Sequence, residues 1–129
     1  MARRTSINVH GAKHTNPIPN ACRIGNLIVS GAISGADPKT SAMPTAIEVQ
    51  AANMFENLRE IVETGGATTD DIIKLTVFLK DPSNRNALNG EWLKMFPEAE
   101  SRPARHTQLL TAAVNKDALI MCDFMAVVG

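Results

Sequence analysis

Apolar residues recur at helical spacing over a stretch near the middle of the chain. Between residues 46 and 64, Phe55 and Leu58 are two of several apolar positions three or four residues apart, which define one buried stripe. Thr45 and Glu48 have the spacing of a capping box, and a Gly-Gly pair follows the last apolar turn. The pattern therefore predicts an amphipathic helix over residues 46–64.

A second helix is predicted after Asp81 and Pro82, because these residue types are favoured at the N-cap and at the first helical position. Its apolar face is formed by Leu88, Trp92, Met95 and Phe96. Pro97 cannot continue a helix and is expected to end it.

Alternating or β-branched segments predict the strands. They are the first ten residues, residues 27–31 and 72–79, an extended segment after Pro103, and residues 118–128. Residues 23–27 are predicted to form the turn that enters the second strand. In residues 72–79, Lys74 and Thr76 alternate with Ile73, Leu75 and Val77. The last strand is almost wholly apolar, which is typical of a strand buried on both faces.

The order of these elements is β-β-α-β-α-β-β, and no linker or repeat divides them. We therefore predict an α+β fold, a mixed β-sheet with two helices on one face, in a single domain over residues 1–129. No third helix remains to cover the other face, on which we expect Leu27, Val29 and Val77. An apolar patch of that size predicts self-association through this face.

Composition and charge exclude several functions. The formal net charge is zero, the aromatic content is 4% and there is no tyrosine, so neither a basic field nor a base-stacking surface for nucleic acid is expected. No apolar run is long enough to span a bilayer and no signal-peptide core is present, which predicts a cytoplasmic protein without a membrane partner. The two cysteines lack a CxxC pattern and look like core residues, and the three histidines are scattered. No metal site is predicted.

Arg105 is the most suggestive candidate for ligand binding. Pro103 fixes its own φ and favours an extended chain before it, so Arg105 and Thr107 should point to the same side of the following segment. A guanidinium presents a planar fork of donors that matches a carboxylate and cannot lose its charge. The pattern is that of an anchor for a small organic acid. The alternative is a surface arginine paired with a neighbouring glutamate.

Three further residues are candidates for ligand contacts. Ser30 and Gly31 close a strand and can present a hydroxyl and bare backbone groups, although turn chemistry explains them equally well. Asn89 lies next to a glycine inside the second predicted helix, where both residues lower helix propensity. It either bonds something specific or marks a helix kink.

Three residues are candidates for proton transfer. Asp123 is the only charged residue between positions 118 and 128, so its carboxylate must be paired, exposed at an edge, or protonated with a raised pKa. Its alternative role is a salt bridge to a neighbouring strand. His106 and His14 can act as bases, but each also fits a partly exposed histidine in a loop or at a strand end.

In their order and spacing, these segments resemble the Rid family, also called the YjgF or reactive-intermediate deaminase family. The matching segments are residues 25–31, 37–40 and 71–81, followed by Asn89 and residues 102–105. The similarity extends from about residue 17 to the C-terminus. Each segment is weak alone, and their shared order makes the resemblance specific.

The resemblance implies a chorismate-mutase-like fold and a homotrimer whose sheets form a central barrel, with ligand sites between subunits. It implies hydrolysis of small 2-enamino or 2-imino carboxylic acids to ammonia and a 2-keto acid, without a metal or an organic cofactor. Arg105 matches the arginine that grips the substrate carboxylate, and Ser30, Gly31 and Asn89 match pocket positions around it.

The chain departs from the family pattern at three positions. Ile18 replaces a tyrosine, and Thr107 replaces a common cysteine. Met121 stands where the family's deaminases carry a glutamate that activates the attacking water, and a thioether cannot accept a proton at neutral pH. The exchanges at Ile18 and Met121 also make the implied pocket more apolar, which favours a bulkier substrate.

Three explanations of the missing glutamate remain open. Asp123 lies two residues beyond Met121 on the same strand face and can replace it through a shifted ligand pose. His106 or His14 can supply the base instead, which fits a changed substrate. In the third explanation, the site binds a carboxylated metabolite without turning it over.

Overall fold

The computed structural model describes residues 3–9, 16–111, 113 and 115–129. Its elements are β1 (Thr5–Ile7), β2 (Ala21–Ile24), β3 (Leu27–Ser30), β4 (Ile33–Ser34), α1 (Ile47–Thr64), β5 (Ile72–Leu79), α2 (Arg85–Met95), β6 (Ala104–Leu109) and β7 (Ile120–Val127). Short 3-10 turns at Thr69–Asp71 and Pro82–Asn84 precede β5 and α2. The predicted order of strands and helices is confirmed, with β2 and β4 added.

The described strands form one mixed sheet, as predicted. Their order in the sheet is β1-β2-β3-β7-β5-β6, and β4 pairs with β7 outside this path. β5 and β6 are parallel, and the other neighbours are antiparallel. β3 and β4 pair in turn with the same central strand: Val29 lies opposite Met125, and Ile33 lies opposite Cys122. Between β3 and β4, the chain therefore interrupts its pairing with β7 for a few residues.

Both helices pack on one face of this sheet. Side chains of α1 and α2 share a single buried cluster with alternate residues of the strands. On β7 these are Cys122, Phe124 and Ala126, each at most 2% exposed. The complete burial of Cys122 raises the pKa of its thiol and confirms it as a core residue, whereas Cys22 is half-buried. Within the residues described, neither helix is long and apolar enough to cross a membrane.

The start of α1 differs from the prediction. The helix begins at Ile47, its N-cap is Ala46, and no side chain caps it, so the capping box of Thr45 and Glu48 is wrong. Gln50 explains the difference, because its side-chain amide nitrogen donates to Pro44 O at 2.6 Å and so orients the chain before the helix.

The start of α2 also shifts. The carboxylate of Asp81 accepts a hydrogen bond from Ser83 N, but it caps the 3-10 turn rather than the α-helix, which begins at Arg85. The α-helix therefore starts one turn later than the sequence predicts.

The predicted turn at residues 23–27 is largely a strand. Arg23 and Ile24 belong to β2, and Ile24 lies directly opposite Leu27 in β3. Gly25 has a positive φ of 56°, which a two-residue hairpin requires and glycine adopts without strain. The turn is thus confined to Gly25 and Asn26.

The face of the sheet opposite the helices, the open face, carries a patch of half-exposed apolar side chains. The patch consists of Ile24, Leu27, Val29, Met125 and Val127, each between 38% and 43% exposed. Leu27 and Val29 are confirmed there. The prediction that the last strand is buried on both faces is wrong for the subunit alone, because its odd-numbered positions lie on this face.

Val77 was predicted on the open face and is instead fully buried beneath the helices. Alternation along β5 puts Val77 on the face opposite to Lys74 and Thr76, but it does not say which of the two faces the helices cover. A separate irregularity, the register shift between Ile72 and Lys74, breaks the alternation at Ile73. Ile73 is left 50% exposed, while Leu75 and Val77 face the core. Lys74 and Thr76 still alternate with them, as predicted.

Gln50 is a fully buried polar side chain that joins three segments. Besides its bond to Pro44 O, its amide nitrogen donates to Asp117 O at 2.9 Å, and its amide oxygen accepts from Leu119 N at 2.8 Å. At Gly35 a side chain would overlap the backbone of Gln50, so β4 and the chain after it lie directly against α1. The bonds of Gln50 to Asp117 and Leu119 hold the chain in place just before it enters β7.

Candidate functional site

Arg105 lies in β6, directly opposite Leu75 of β5. Because paired residues point to the same side of a sheet, its side chain lies on the helix-covered side, as does that of Thr107. The guanidinium carbon is 4.9 Å from the ring centroid of Trp92 in α2, which is a cation–π contact. Trp92 in turn packs edge-to-face against Phe96, with ring centroids 4.8 Å apart.

The guanidinium of Arg105 lacks an anionic partner among the described residues. Its Nη1 is buried without a hydrogen bond there, and the ion pairs in that part of the chain join other residues, Arg59 with Glu56 and Lys94 with Glu91. Burial, together with the charge of Arg85, lowers the pKa of Arg105. The alternative of a surface arginine paired with glutamate therefore finds no support in these residues.

Asn89 lies on the same stripe of α2 as Trp92. Residues 85, 89 and 92 are four and three positions apart, so Arg85, Asn89 and Trp92 follow one another along one side of the helix. Trp92 lies under the guanidinium of Arg105, and half-buried Asn89 is one turn away. The helix continues through Asn89 and Gly90 without interruption.

Ser30 has a structural role in the sheet. Its Oγ accepts a hydrogen bond from Phe124 N and donates one to Gly31 O, both at 2.8 Å. The first bond gives the Phe124 N–H of β7 an acceptor at the point between the segments of β7 that pair with β3 and with β4. Both bonds of the Ser30 hydroxyl are made within the chain, and a ligand contact for it stays a prediction.

Gly31, at one end of β3, lies beside the loop that contains Ile18. Gly31 N donates to Asn20 O at 2.9 Å, which holds the preceding loop beside it. Gly31 is exposed, and an added Cβ would meet neighbouring atoms only at 3.7 Å or more, so packing within the chain does not require glycine. Ile18 in that loop is 53% exposed. His14, the remaining candidate of this region, lies outside the described residues.

Met121, Asp123 and His106 belong to the open face. Asp123 lies opposite Thr76, which lies opposite His106, so the three form a row across β7, β5 and β6. Burial raises the pKa of the Asp123 carboxyl, and the charge of Lys74 acts against this rise. No ion pair of Asp123 within 4 Å occurs among the described residues, which argues against the predicted salt bridge.

His106 is exposed and contacts a neighbour on its own strand. Its Nδ1 is 3.3 Å from Nε2 of Gln108, which lies two residues along β6 on the same face. Met121 is half-buried in β7 opposite Phe78, so the strand β5 separates it from His106.

The candidate residues thus fall into three groups. Arg105, Asn89 and Thr107 lie at the β6 edge on the helix side, and Ser30 and Gly31 lie three strands away, about 14 Å at the usual spacing of strands. Asp123 and His106, the described candidates for proton transfer, lie on the other face of the sheet from Arg105. A single subunit therefore does not bring all of them together.

Two residues next to Arg105 were missed as site candidates. Trp92 was predicted only as part of an apolar helix face, and Arg85 was not singled out. Their spacing from Asn89 is the signal that could have found them, because residues at i, i+4 and i+7 share one side of a helix.

The described residues contain no group of three or more His, Cys, Asp or Glu side chains placed to hold a metal ion.

Comparison with known proteins gives a consistent result. Residues 13–128 match the family model described as Endoribonuclease L-PSP. The chain is 30% identical to a RutC family protein of Pyrococcus abyssi, covering 98% of each chain. It is 29% identical to the 2-iminobutanoate/2-iminopropanoate deaminase of Escherichia coli, over 86% of this chain and 87% of the relative.

A solved structure extends this similarity to the fold. The YjgF gene product of Escherichia coli superposes with a TM-score of 0.84 at 29% identity, over 95% of this chain and 98% of the other. It matches the mixed sheet and two helices described above. The chain therefore belongs to the Endoribonuclease L-PSP family, the same family as the Rid, YjgF and RutC proteins.

Proposed function

We propose that the protein is a hydrolytic deaminase of a small imino or enamino carboxylic acid. One observation carries the proposal: the guanidinium of Arg105 is held over Trp92, with a buried Nη1 that has no hydrogen-bond partner among the described residues. A substrate carboxylate provides the missing acceptor and can bind the guanidinium through two parallel hydrogen bonds. The name of the Escherichia coli relative supports an imino acid as the ligand.

The proposed site lies between subunits of a homotrimer, each subunit being a single Rid-type domain. The apolar patch on the open face supports self-association, since water-exposed patches of this kind are usually covered by a partner. The division of the candidate residues into three groups also supports it. Residues on opposite faces of one sheet can act on the same ligand when neighbouring subunits contribute different faces.

In the proposed reaction, water adds to the imine carbon, the carbon–nitrogen bond breaks, and ammonia and a 2-keto acid leave. An enamine first becomes the imine by taking up a proton at carbon and losing one from nitrogen. A base must remove a proton from the attacking water and return it to the departing nitrogen. Asp123 is the proposed base, because its raised pKa makes it a better proton acceptor than an ordinary aspartate.

A second candidate function is non-catalytic binding of a carboxylated metabolite. Met121 favours it, because this residue stands at the position implied for the water-activating glutamate and its thioether cannot replace a carboxylate. Both candidates use Arg105 in the same way. They differ only in whether a base acts on the bound ligand.

Ammonia release from imino acids, generated in place by an amino-acid oxidase, tests the proposed function. We expect the protein to accelerate keto-acid and ammonia formation over buffer, and Asp123→Asn to reduce kcat about 100-fold, the usual contribution of a general base. Since the base must be deprotonated, wild-type activity should fall at acid pH with an apparent pKa above that of an ordinary aspartate. His106→Ala, the matched variant on the same face, should retain most of the activity.

Rates equal to buffer for both aliphatic and aromatic imines would leave the binding function as the better proposal. Full activity in Asp123→Asn combined with its loss in His106→Ala would assign the base to His106 instead.

Met121→Glu provides a second prediction. A carboxylate two residues from Asp123 on the same strand face adds a stronger proton acceptor than sulfur. We expect kcat to rise about tenfold, short of the full contribution of a positioned base, because the surrounding residues have not adapted to it. Stopped assays of wild type, Met121→Glu and the isosteric control Met121→Gln distinguish the carboxylate from a change in shape. An equal effect of Glu and Gln would contradict the prediction.

A further inference from the structure

We propose that Arg85 and Arg105 together bind a substrate with two acidic groups, so that the substrate is a dicarboxylic imino or enamino acid. The inference rests on the proposed function, because it names the substrate class of the same site. Arg105 binds the carboxylate next to the reacting carbon, and Arg85 binds the second carboxylate at the far end of the ligand.

The placement of Arg85 on α2 carries the first step of the argument. Arg85, Asn89 and Trp92 share one side of the helix, at positions i, i+4 and i+7. The guanidinium of Arg105 lies over the ring of Trp92, at one end of this row of three residues. Arg85 lies at the other end of the row. Side chains on a helix tilt towards its N-terminus, which directs Trp92 and its bound cation along the stripe to Asn89 and Arg85.

The second step concerns charge. Arg85 and Arg105 are close enough for the charge of one to act on the other, and neither takes part in an ion pair within the described residues. Two like charges beside each other repel, and burial of one of them strengthens the repulsion. A ligand with a single carboxylate neutralises one guanidinium, whereas a ligand with two neutralises both.

The polar group between the two arginines supports the same arrangement. Asn89 is half-buried between Arg85 and Trp92 on the stripe, and its amide can both donate and accept hydrogen bonds. A ligand that spans the two guanidinium groups passes over this amide.

Calorimetric titration with 2-oxoglutarate and 2-oxobutanoate tests the inference without requiring turnover. Both are 2-keto acids, and they differ in the second carboxylate. We expect 2-oxoglutarate to bind wild type more tightly, and Arg85→Ala to weaken 2-oxoglutarate about five- to tenfold while changing 2-oxobutanoate less than about twofold. Arg85→Lys should recover part of the loss. The preference should also shrink as salt is added.

Lys94→Ala is the matched control. It removes one positive charge from the same helix on the side opposite Arg85, where Lys94 pairs with Glu91. Neither ligand should be affected by it. An equal loss of both ligands in Arg85→Ala, no loss of either, or a change of oligomeric state with unchanged selectivity would overturn the inference.

Kinetics with the corresponding imino acids separate this inference from the proposed function. Selective loss of 2-oxoglutarate binding in a protein that hydrolyses no imine supports the two-arginine site and contradicts the deaminase. Hydrolysis that favours monocarboxylic imines, with no effect of Arg85→Ala, supports the deaminase and contradicts the two-arginine site.

Discussion

Replacing Arg105 by alanine is expected to lower kcat/KM for imino-acid hydrolysis about 100-fold, the usual loss for one bidentate charge-assisted contact. The guanidinium has a buried N–H donor, Nη1, without an acceptor among the described residues, and it lies over Trp92, so it is oriented before a ligand arrives. Arg105→Lys keeps the charge but loses the fork of donors, and it should give an intermediate value. Initial rates over a range of substrate concentrations measure the effect.

The same substitution should not destabilise the fold. The cation–π contact of Arg105 with Trp92 contributes up to about 1 kcal/mol to the free energy of unfolding, and the burial of Nη1 without a hydrogen-bond partner lowers it by a similar amount. Arg102 provides the contrast, because its guanidinium donates to Phe96 O at 2.9 Å and to Pro97 O at 3.2 Å. Thermal unfolding should therefore show a lower Tm for Arg102→Ala than for Arg105→Ala. The reverse order, or unchanged kcat/KM in Arg105→Ala, would contradict the role of anchor.

Gln50→Leu is expected to reduce the free energy of unfolding by about 3–5 kcal/mol. Leucine fills a similar volume but leaves Pro44 O, Asp117 O and Leu119 N without their partner, and each unsatisfied buried group costs about 1–3 kcal/mol. Water that reaches the loops can bond some of these backbone groups, which keeps the total below the sum of the three costs. Urea unfolding at neutral pH measures the change.

Asn53→Ala is the control for Gln50→Leu, one turn further along α1. Asn53 makes one hydrogen bond, to Gly35 O at 3.2 Å, and its loss should cost about 1 kcal/mol. If both substitutions lowered the free energy of unfolding equally, the three hydrogen bonds of Gln50 would stabilise the fold no more than the single bond of Asn53.

The long elements were predictable because their patterns are strong. The stripe of α1 and the β-branched run of β5 each contain enough residues for the periodicity to be unambiguous. β2 and β4 escaped prediction because four and two residues carry little periodicity and depend on pairing with β3 and β7. The N-terminus of α1 was displaced because the buried side chain of Gln50, rather than a local cap, orients the preceding chain.

The candidate site was only partly predictable for a different reason. Alternation correctly put Arg105 and Thr107 on one side of β6, but sequence alone does not say which side faces the helices. It therefore could not separate Arg105 from Asp123, which lies on the opposite face. The same ambiguity caused the error at Val77, since alternation separates Val77 from Thr76 without saying which of the two faces the helices. The relation of Arg85 to Arg105 required the packing of α2 on the sheet.

The alternation of β7 has an evolutionary consequence. Cys122, Phe124 and Ala126 lie in the core, where a change of side chain disturbs the packing and lowers the stability of the subunit. The residues between them, Met121 and Asp123 among them, point away from that core. Selection can thus alter the reactive chemistry of this strand while the fold stays intact. An exchange between a carboxylate and a thioether at position 121, in either direction, needs no repacking of the core.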